Sequence, residues 1–176
     1  MTVAESSLAQ FQTDIDKWMA ENVPKNPGFL LPLTFLEVGT EQQLDFLRDW
    51  QHKLWQAGFL GMHWPTEYGG QGADPAYQGL VDKALTAHNA PIIFNTIGLN
   101  WTGPLLLDVG TEDDRKRYIK NILTGDDIWC QGFSEPDHGS DLGNVQTRAV
   151  RDGDEYVVNG SKVWTTRGND ADHRLL

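Results

Sequence analysis

The sequence is short of basic residues, since 14 Lys and Arg stand against 25 Asp and Glu and give a formal net charge of -11. Binding to nucleic-acid phosphates draws on clustered Lys and Arg, so this deficit argues against a nucleic-acid partner. The acidic residues are spread through helix-like segments rather than gathered in a tail, which is typical of a solvated surface. An anionic ligand must therefore be held by local groups.

Cysteine and long apolar runs are also scarce. The single cysteine, Cys130, cannot form an intramolecular disulfide, and it lacks the spacing of a zinc site or a redox motif. No apolar run approaches membrane-spanning length, and residues 1–20 have neither the pattern of a secretory signal nor that of an Arg-rich transit peptide. We therefore expect a protein without a membrane span, in the reducing cytoplasm of a bacterium.

Helical periodicity begins near the N-terminus. Apolar residues at three- and four-residue steps predict a helix from Leu8 that ends before Pro24. Thr40 and Gln43 have the spacing of a capping box, in which each side chain satisfies the backbone N–H of the other, and they predict a second helix. Gly58 stands where that helix would need a left-handed C-terminal residue.

Further helices are predicted up to residue 125. Asp74 and Pro75 have the residue types of an N-cap and a first helical position. The apolar stretch 92–109 indicates one or two buried helices. Thr111 precedes an acidic first turn and later basic turns, which suits the helix dipole, and Gly125 is expected to end this last helix.

After Gly125 the apolar period changes from 3.6 to 2, which predicts β structure. Residues 128–133 form a β-prone run, and Asp152-Gly153 indicates a turn. Asn159-Gly160 is a strong hairpin signal, because both residue types tolerate the positive φ of a type I′ turn. We therefore expect antiparallel β structure with a hairpin centred on Asn159-Gly160.

These patterns predict an α+β protein with two domains. Residues 1–126 form an all-helical domain, and residues 127–176 form the beginning of an antiparallel β-barrel-like domain. About fifty residues rarely make a stable sandwich or barrel alone, so we expect the β domain to be partial. Leu175-Leu176 is where a new core strand would be starting.

Two segments of the β domain carry groups suited to ligand binding. The loop 132–141 holds Ser134, Gly139 and Ser140, and Trp164 is followed by two threonines. Glycine allows close backbone approach, hydroxyl groups donate hydrogen bonds to ring nitrogens, carbonyls or phosphate, and an indole can wall a flat ligand. Taken alone, such a loop is more often an ordinary turn beside a core tryptophan.

Three motifs favour the ligand-binding interpretation. Ser134-Glu135-Pro136, followed by Gly139-Ser140-Asp141, resembles the Thr/Ser-Glu-Pro-x-x-Gly-Ser-Asp signature of the acyl-CoA dehydrogenase family. The run Asn159 to Thr166 resembles the family's Asn-Gly-x-Lys-x-Trp-x-Thr segment, and Trp64 to Gly70 resembles its Trp/Tyr-Pro-x-Glu-x-Gly-Gly loop. Three motifs in the family's order are far more specific than any one of them.

The resemblance implies an FAD site in the β domain. Ser134 would hydrogen-bond the pyrimidine side of the flavin, Trp164 would lie against the ring, and Thr166 would reach the N5 region. Ser140 would also contact the CoA part of the substrate. The residues that the resemblance assigns to FAD are Gln131, Phe133, Ser134, Gly139, Ser140, Trp164, Thr165 and Thr166.

The resemblance also implies a reaction. An acyl-CoA loses an α-proton to a glutamate while its β-carbon delivers hydride to the flavin, giving a trans-2-enoyl-CoA. In the family this glutamate lies on a C-terminal four-helix domain, which is absent from the 176-residue sequence. We therefore expect no catalytic base here, an inactive chain, and a longer parent enzyme. The parent would be a homodimer, homotetramer or heteromer that passes electrons to an electron-transfer flavoprotein.

Other functions stay open at this point. An acyl-CoA oxidase or a flavin monooxygenase could use the same scaffold, and so could a non-catalytic subunit of a heteromeric dehydrogenase. A flavin-free helical interaction module is a third class. The acyl chain is also unassigned: Tyr77, Ile92, Ile93 and Leu99 are candidates for its pocket, although core packing is the commoner role for such residues.

Overall fold

Residues 7–25 and 27–176 are described by a computed structural model, in which the chain divides into two units, Met1–Asp127 and Ile128–Leu176. The first unit is helical and the second contains the start of a β domain, so the predicted α+β class is confirmed. Within the described ranges, every helix is too short or too polar to cross a bilayer.

Five α-helices are described in the first unit, with short 3₁₀ turns at Phe35–Glu37 and Thr66–Tyr68. Each of α1, α2 and α5 turns a stripe of large apolar side chains inward, and α1 packs against α3 while α2 packs against α5. This burial is the main stabilisation of the unit. The helices are α1 (Leu8–Asn22), α2 (Glu41–Gln56), α3 (Ala76–Ala87), α4 (Gly103–Val109) and α5 (Glu112–Thr124).

The helix ends follow the predicted capping residues with one correction. Thr40 Oγ1 accepts the Gln43 N–H at 3.2 Å, as predicted. The second predicted hydrogen bond of this capping box, from the Thr40 N–H to the Gln43 side chain, is wrong. Gln43 Oε1 instead accepts the N–H of Gly39 at 2.9 Å. Thr111 and Asp114 form a complete capping box, and Gly58 and Gly125 have φ values of +80° and +84°. Glycine adopts this conformation with little strain.

The segment 92–109 differs from its prediction. Helical structure starts only after Asn95, passes through a π-helical turn at Gly98–Thr102 and continues as α4. The Gly103 N–H donates to Gly98 O, five residues back, and Pro104 has no N–H to continue the α pattern. The expectation of buried helices holds only in part, since Gly98, Thr102 and Gly103 are buried whereas Trp101 and Val109 are exposed.

The β unit contains two separate two-stranded sheets: β2 (Arg148–Asp152) pairs antiparallel with β3 (Glu155–Asn159), and β1 (Trp129–Gln131) pairs with β4 (His173–Leu175). The β2–β3 hairpin turns at Gly153-Asp154, where Gly153 has a φ of +62°. The predicted Asn159-Gly160 hairpin is therefore wrong. The β1–β4 pairing is parallel, which corrects the expectation of purely antiparallel structure.

Candidate functional site

The loop after β1 is held in one conformation by its own backbone. The Glu135 N–H donates to His138 O at 2.9 Å, and the His138 N–H donates to Glu135 O at 3.1 Å. This reciprocal pair closes a tight turn through Pro136 and Asp137, in which proline fixes φ. The residues on either side of the turn are thereby presented on a defined bend.

The two segments singled out from the sequence lie side by side. The Val163 N–H donates to Ser134 O at 2.9 Å. Lys162 Nζ donates to Phe133 O, also at 2.9 Å. Because Trp164 follows Val163 directly, the structure brings the start of the loop and the indole-bearing segment together, as predicted.

A buried carboxylate joins these two segments to a third. Glu135 is only 5% exposed, and it accepts hydrogen bonds from Gln146 N at 2.6 Å, from Thr147 N at 2.8 Å and from the Thr147 hydroxyl. Lys162 Nζ lies 2.9 Å from Glu135 Oε1 and supplies the countercharge. A buried charge is tolerated only when it is paired and hydrogen-bonded in this way.

These contacts determine the ionisation of Glu135. The Thr147 hydroxyl, with the Gln146 N–H and Lys162, lowers the pKa of Glu135 from its ordinary 4.5 to about 2, against an opposing effect of burial. The side chain is therefore a permanent carboxylate at neutral pH and cannot serve as a proton donor there. Among the described residues, no group of three His, Cys, Asp or Glu side chains is placed to hold a metal ion.

Trp164 has a strained backbone conformation. Its φ is +54°, in the left-handed region that residues other than Gly, Asn and Asp rarely adopt, and the residue is 87% exposed. Such a conformation persists only where the surrounding structure imposes it, and it is concentrated at functional sites. The Arg167–Asp170 ion pair and the Gly168 N–H, which donates to Thr165 O at 3.0 Å, fix the turn that follows.

The other predicted site residues are distributed along the same unit. Gln131 ends β1 opposite Leu175. Gly139 and Ser140 lie exposed in the bend, and a Cβ placed on Gly139 would have no neighbouring atom within 4 Å. Thr165 is half-buried and Thr166 is exposed.

Sequence reasoning missed two members of this site, Thr147 and Lys162. The signal for Lys162 was present, because this residue is the lysine of the Asn159 to Thr166 run. Its ion pair with Glu135 makes it the anchor of the indole-bearing segment. Thr147 had no local signal, since it meets Glu135 only after the intervening chain has folded.

The helical unit contains a cavity of about 250 Å³. The loop between α2 and α3, helix α3 and the segment 93–100 form its walls. Ile93 and Leu99, two of the candidates for an acyl pocket, line it. Tyr77 instead packs edge-on against Phe11 at 5.0 Å between ring centroids, which is core packing.

Sequence profiles of known families match both units. Residues 33–126 match "Acyl-CoA dehydrogenase, N-terminal domain" and residues 130–176 match "Acyl-CoA dehydrogenase, middle domain". The first profile alone covers more than half of the chain. The helix-then-strand order of the structure is the order of these two domains.

Individual relatives give the same picture. Acyl-CoA dehydrogenase IpdE1 of Mycobacterium tuberculosis is 35% identical over 160 residues, which are 90% of this chain and 41% of the relative. A solved structure titled "Tcur3481-Tcur3483 steroid ACAD" is 34% identical with a TM-score of 0.73, over 96% of this chain and 42% of that one. The ChsE4-ChsE5 complex from Mycobacterium tuberculosis gives 28% identity and a TM-score of 0.72, over 100% and 43%. The chain thus spans about two fifths of the length of these relatives.

Proposed function

Because the chain belongs to the acyl-CoA dehydrogenase family, we propose that its β unit forms part of the flavin wall of an enzyme that oxidises an acyl-CoA thioester to a trans-2-enoyl-CoA. FAD, when bound, supplies the acceptor for the hydride that leaves the β-carbon. The residues of this chain contribute binding, orientation and exclusion of water around that acceptor.

The exposed, strained Trp164 is the single observation that carries this proposal. A large apolar ring that is 87% exposed loses the stabilisation of burial, unless a ligand or another surface covers it. Its φ of +54° adds a cost that ordinary packing does not explain. The flat face of an isoalloxazine ring matches an indole in shape and would cover it by stacking.

Neighbouring groups fit the polar edge of the same ligand. Ser134 is half-buried, and its backbone O accepts the Val163 N–H, so this residue lies beside the indole-bearing segment. The open space over Gly139 allows a ligand to approach the backbone. We assign flavin contacts to Gln131, Phe133, Ser134, Gly139, Ser140, Trp164, Thr165 and Thr166, and a CoA contact to Ser140.

Proton abstraction requires a group outside the described site. A carboxylate whose pKa is lowered to about 2, and whose oxygens accept several hydrogen bonds, is too weak a base to remove an α-proton. Glu135 therefore positions the loop and does not take part in the chemistry. Since the chain spans about two fifths of its relatives, we propose that the base is supplied by a further part of a longer enzyme.

Partners follow from the same proposal. The substrate is an acyl-CoA, and an electron-transfer flavoprotein is the acceptor that reoxidises the reduced enzyme. Two related structures, Tcur3481-Tcur3483 and the ChsE4-ChsE5 complex, each carry a double name, and this supports assembly with a second acyl-CoA dehydrogenase subunit. The first of them is named a steroid enzyme, which favours a steroid-derived acyl group over a simple fatty acid. A bacterial cytoplasm is the proposed compartment.

The test is a titration of FAD with the chain, in which binding is measured as quenching of the flavin fluorescence. The unsubstituted chain is expected to bind, and Trp164→Ala should weaken binding about tenfold through loss of ring stacking and its buried area. Tyr156→Ala is the matched control, because Tyr156 is also exposed in the β unit but lies on β3. Unchanged affinity in Trp164→Ala, an equal loss in Tyr156→Ala, or no binding by the unsubstituted chain would each contradict the proposal.

A further inference from the structure

Lys162 fixes the chain two residues before Trp164. Its Nζ donates to Phe133 O and to Glu135 Oε1, each at 2.9 Å, and its side chain is only 11% exposed. The next residue, Val163, is also fixed, because its N–H donates to the backbone of the same loop. The chain that enters Trp164 therefore cannot shift without breaking a buried ion pair and a backbone hydrogen bond.

Glu135 holds the same segment at a second place through Thr147. The N–H and the hydroxyl of Thr147 both donate to the Glu135 carboxylate. The backbone of Gly160 lies so close to Thr147 that a Cβ on this glycine would collide with the threonine side chain. The carboxylate therefore joins three separate stretches of the chain, around residues 135, 147 and 160.

The chain is also fixed on the C-terminal side of Trp164. Arg167 forms an ion pair with Asp170, and the Asp170 N–H donates to Arg167 O at 3.1 Å. Arg167 has a φ of +61°, so Thr165 and Thr166 lie between two residues in the left-handed region. A strained conformation of this kind persists only where the surrounding structure imposes it. Trp164 has to join two ends that are both held.

The ion pair of Lys162 and Glu135 is better suited to fixing a position than to general stabilisation. Removing two charges from water offsets most of their attraction, and well-packed apolar side chains of similar size often stabilise a protein as much or more. Charged hydrogen bonds differ from apolar contacts in requiring partners at defined distances and directions. Both groups have such partners here, since the ammonium donates twice and the carboxylate accepts from two further backbone N–H groups.

We propose that Lys162 and Glu135 are a positioning pair, which sets the left-handed conformation of Trp164 and thereby the direction of its exposed indole. Resting on the proposed function, the pair determines how well that indole packs against the flavin. Both residues act through Trp164 and neither touches the cofactor. Flavin affinity then depends on this buried ion pair only while the indole is present.

The test removes both charges at once, with Lys162→Met and Glu135→Gln in one chain, the neutral-pair variant. It leaves no buried charge without a partner, so the β unit should fold, and the amide signals of β1 and β4 in a ¹H–¹⁵N NMR spectrum check this. The one-bond Cα–Hα coupling of Trp164 distinguishes positive from negative φ without any flavin. We expect positive φ in the unsubstituted chain and in Lys162→Arg, and negative φ in the neutral-pair variant.

FAD titration measures the consequence for binding. The neutral-pair variant should bind FAD about tenfold more weakly than the unsubstituted chain, a size typical of residues coupled through a shared backbone shift. In a chain that already carries Trp164→Ala, the same two changes should weaken binding by less than about twofold, because the indole through which they act is gone. Lys116→Met with Glu112→Gln makes the same two changes in an exposed ion pair on α5, and should alter neither measurement.

Positive φ at Trp164 in a folded neutral-pair variant would overturn the inference. A neutral-pair variant that does not fold would also overturn it, because the pair would then hold the whole unit. The same holds for losses of affinity that multiply when Trp164→Ala is added, and for an equal loss in the α5 control. If the unsubstituted chain binds no FAD, the proposed function fails, and the coupling of Trp164 still decides whether the pair positions this residue.

Discussion

Replacing Gly103 by alanine should destabilise the helical unit, even though alanine is the better helix former. The new Cβ would lie 2.1 Å from Trp64 Cη2 and 3.0 Å from Gly98 O. The indole is 3% exposed and its ring edge already occupies the space beside Gly103, so we expect an overpacking penalty of about 3 kcal/mol. Helix propensity returns about 1 kcal/mol. The net loss of unfolding free energy is therefore about 2 kcal/mol.

Gly79→Ala provides the matched control within α3. A Cβ at Gly79 would have no neighbouring atom within 4 Å, so only the propensity gain of about 1 kcal/mol applies. Urea unfolding followed by far-UV circular dichroism should shift the two midpoints in opposite directions. Adding Trp64→Phe to Gly103→Ala should recover part of the loss, since phenylalanine lacks the ring edge that carries Cη2. A Gly103→Ala chain as stable as the unsubstituted one would refute the reasoning.

Three further changes test the anchor and a helix cap. The pKa of Glu135 is lowered from 4.5 to about 2, so the contribution of its carboxylate to the free energy of unfolding is complete above pH 4.5 and is lost as the pH falls through about 2. Near-UV circular dichroism should therefore show an acid transition that is missing in Glu135→Gln. Lys162→Met should destabilise the β unit more than Lys162→Arg in urea, because Met leaves the carboxylate without a cation. Thr111→Ala should lower the free energy of unfolding by about 1 kcal/mol, because it removes the N-cap of α5. Thr86→Ala inside α3 is its control and should leave the melting temperature unchanged or raise it.

The helices were predictable because their signals are local. The stripe of α1 and the cap residues Thr40 and Thr111 act within one or two turns of the chain, and the structure uses each of them. The π-helical turn was not predictable in the same way. It depends on Trp64, which reaches Gly103 from a loop about forty residues earlier.

The β unit shows where local turn signals fail. Asp152-Gly153 and Asn159-Gly160 are both good turn sequences, and only the first forms a hairpin. Gly160 serves another purpose, because a Cβ there would lie 2.1 Å from the Thr147 hydroxyl. Its lack of a side chain permits close approach of two segments, and no positive φ is needed. The β1–β4 pairing joins residues more than forty positions apart and has no local signal.

Part of the candidate site could be predicted from the sequence. The motifs named both the Ser134 loop and the Trp164 segment, and the Val163 to Ser134 hydrogen bond joins them. The strained backbone of Trp164 was not foreseen, because positive φ in a tryptophan is imposed by its surroundings rather than by its own preference. Lys162 was visible in a motif, but its role needed the buried partner Glu135.

Both faces of the β2–β3 hairpin are exposed to solvent, including the side chains of Val150, Val157 and Val158. An isolated two-stranded sheet is only marginally stable in water. Its amide hydrogens should therefore exchange with deuterium far sooner than those on the buried face of α5. Strands that bear valines and have open edges also invite other chains to dock and polymerise. Fibrils or precipitate in a stored sample should therefore start from this hairpin. Val157→Lys, which places a charge on β3, should reduce that aggregation.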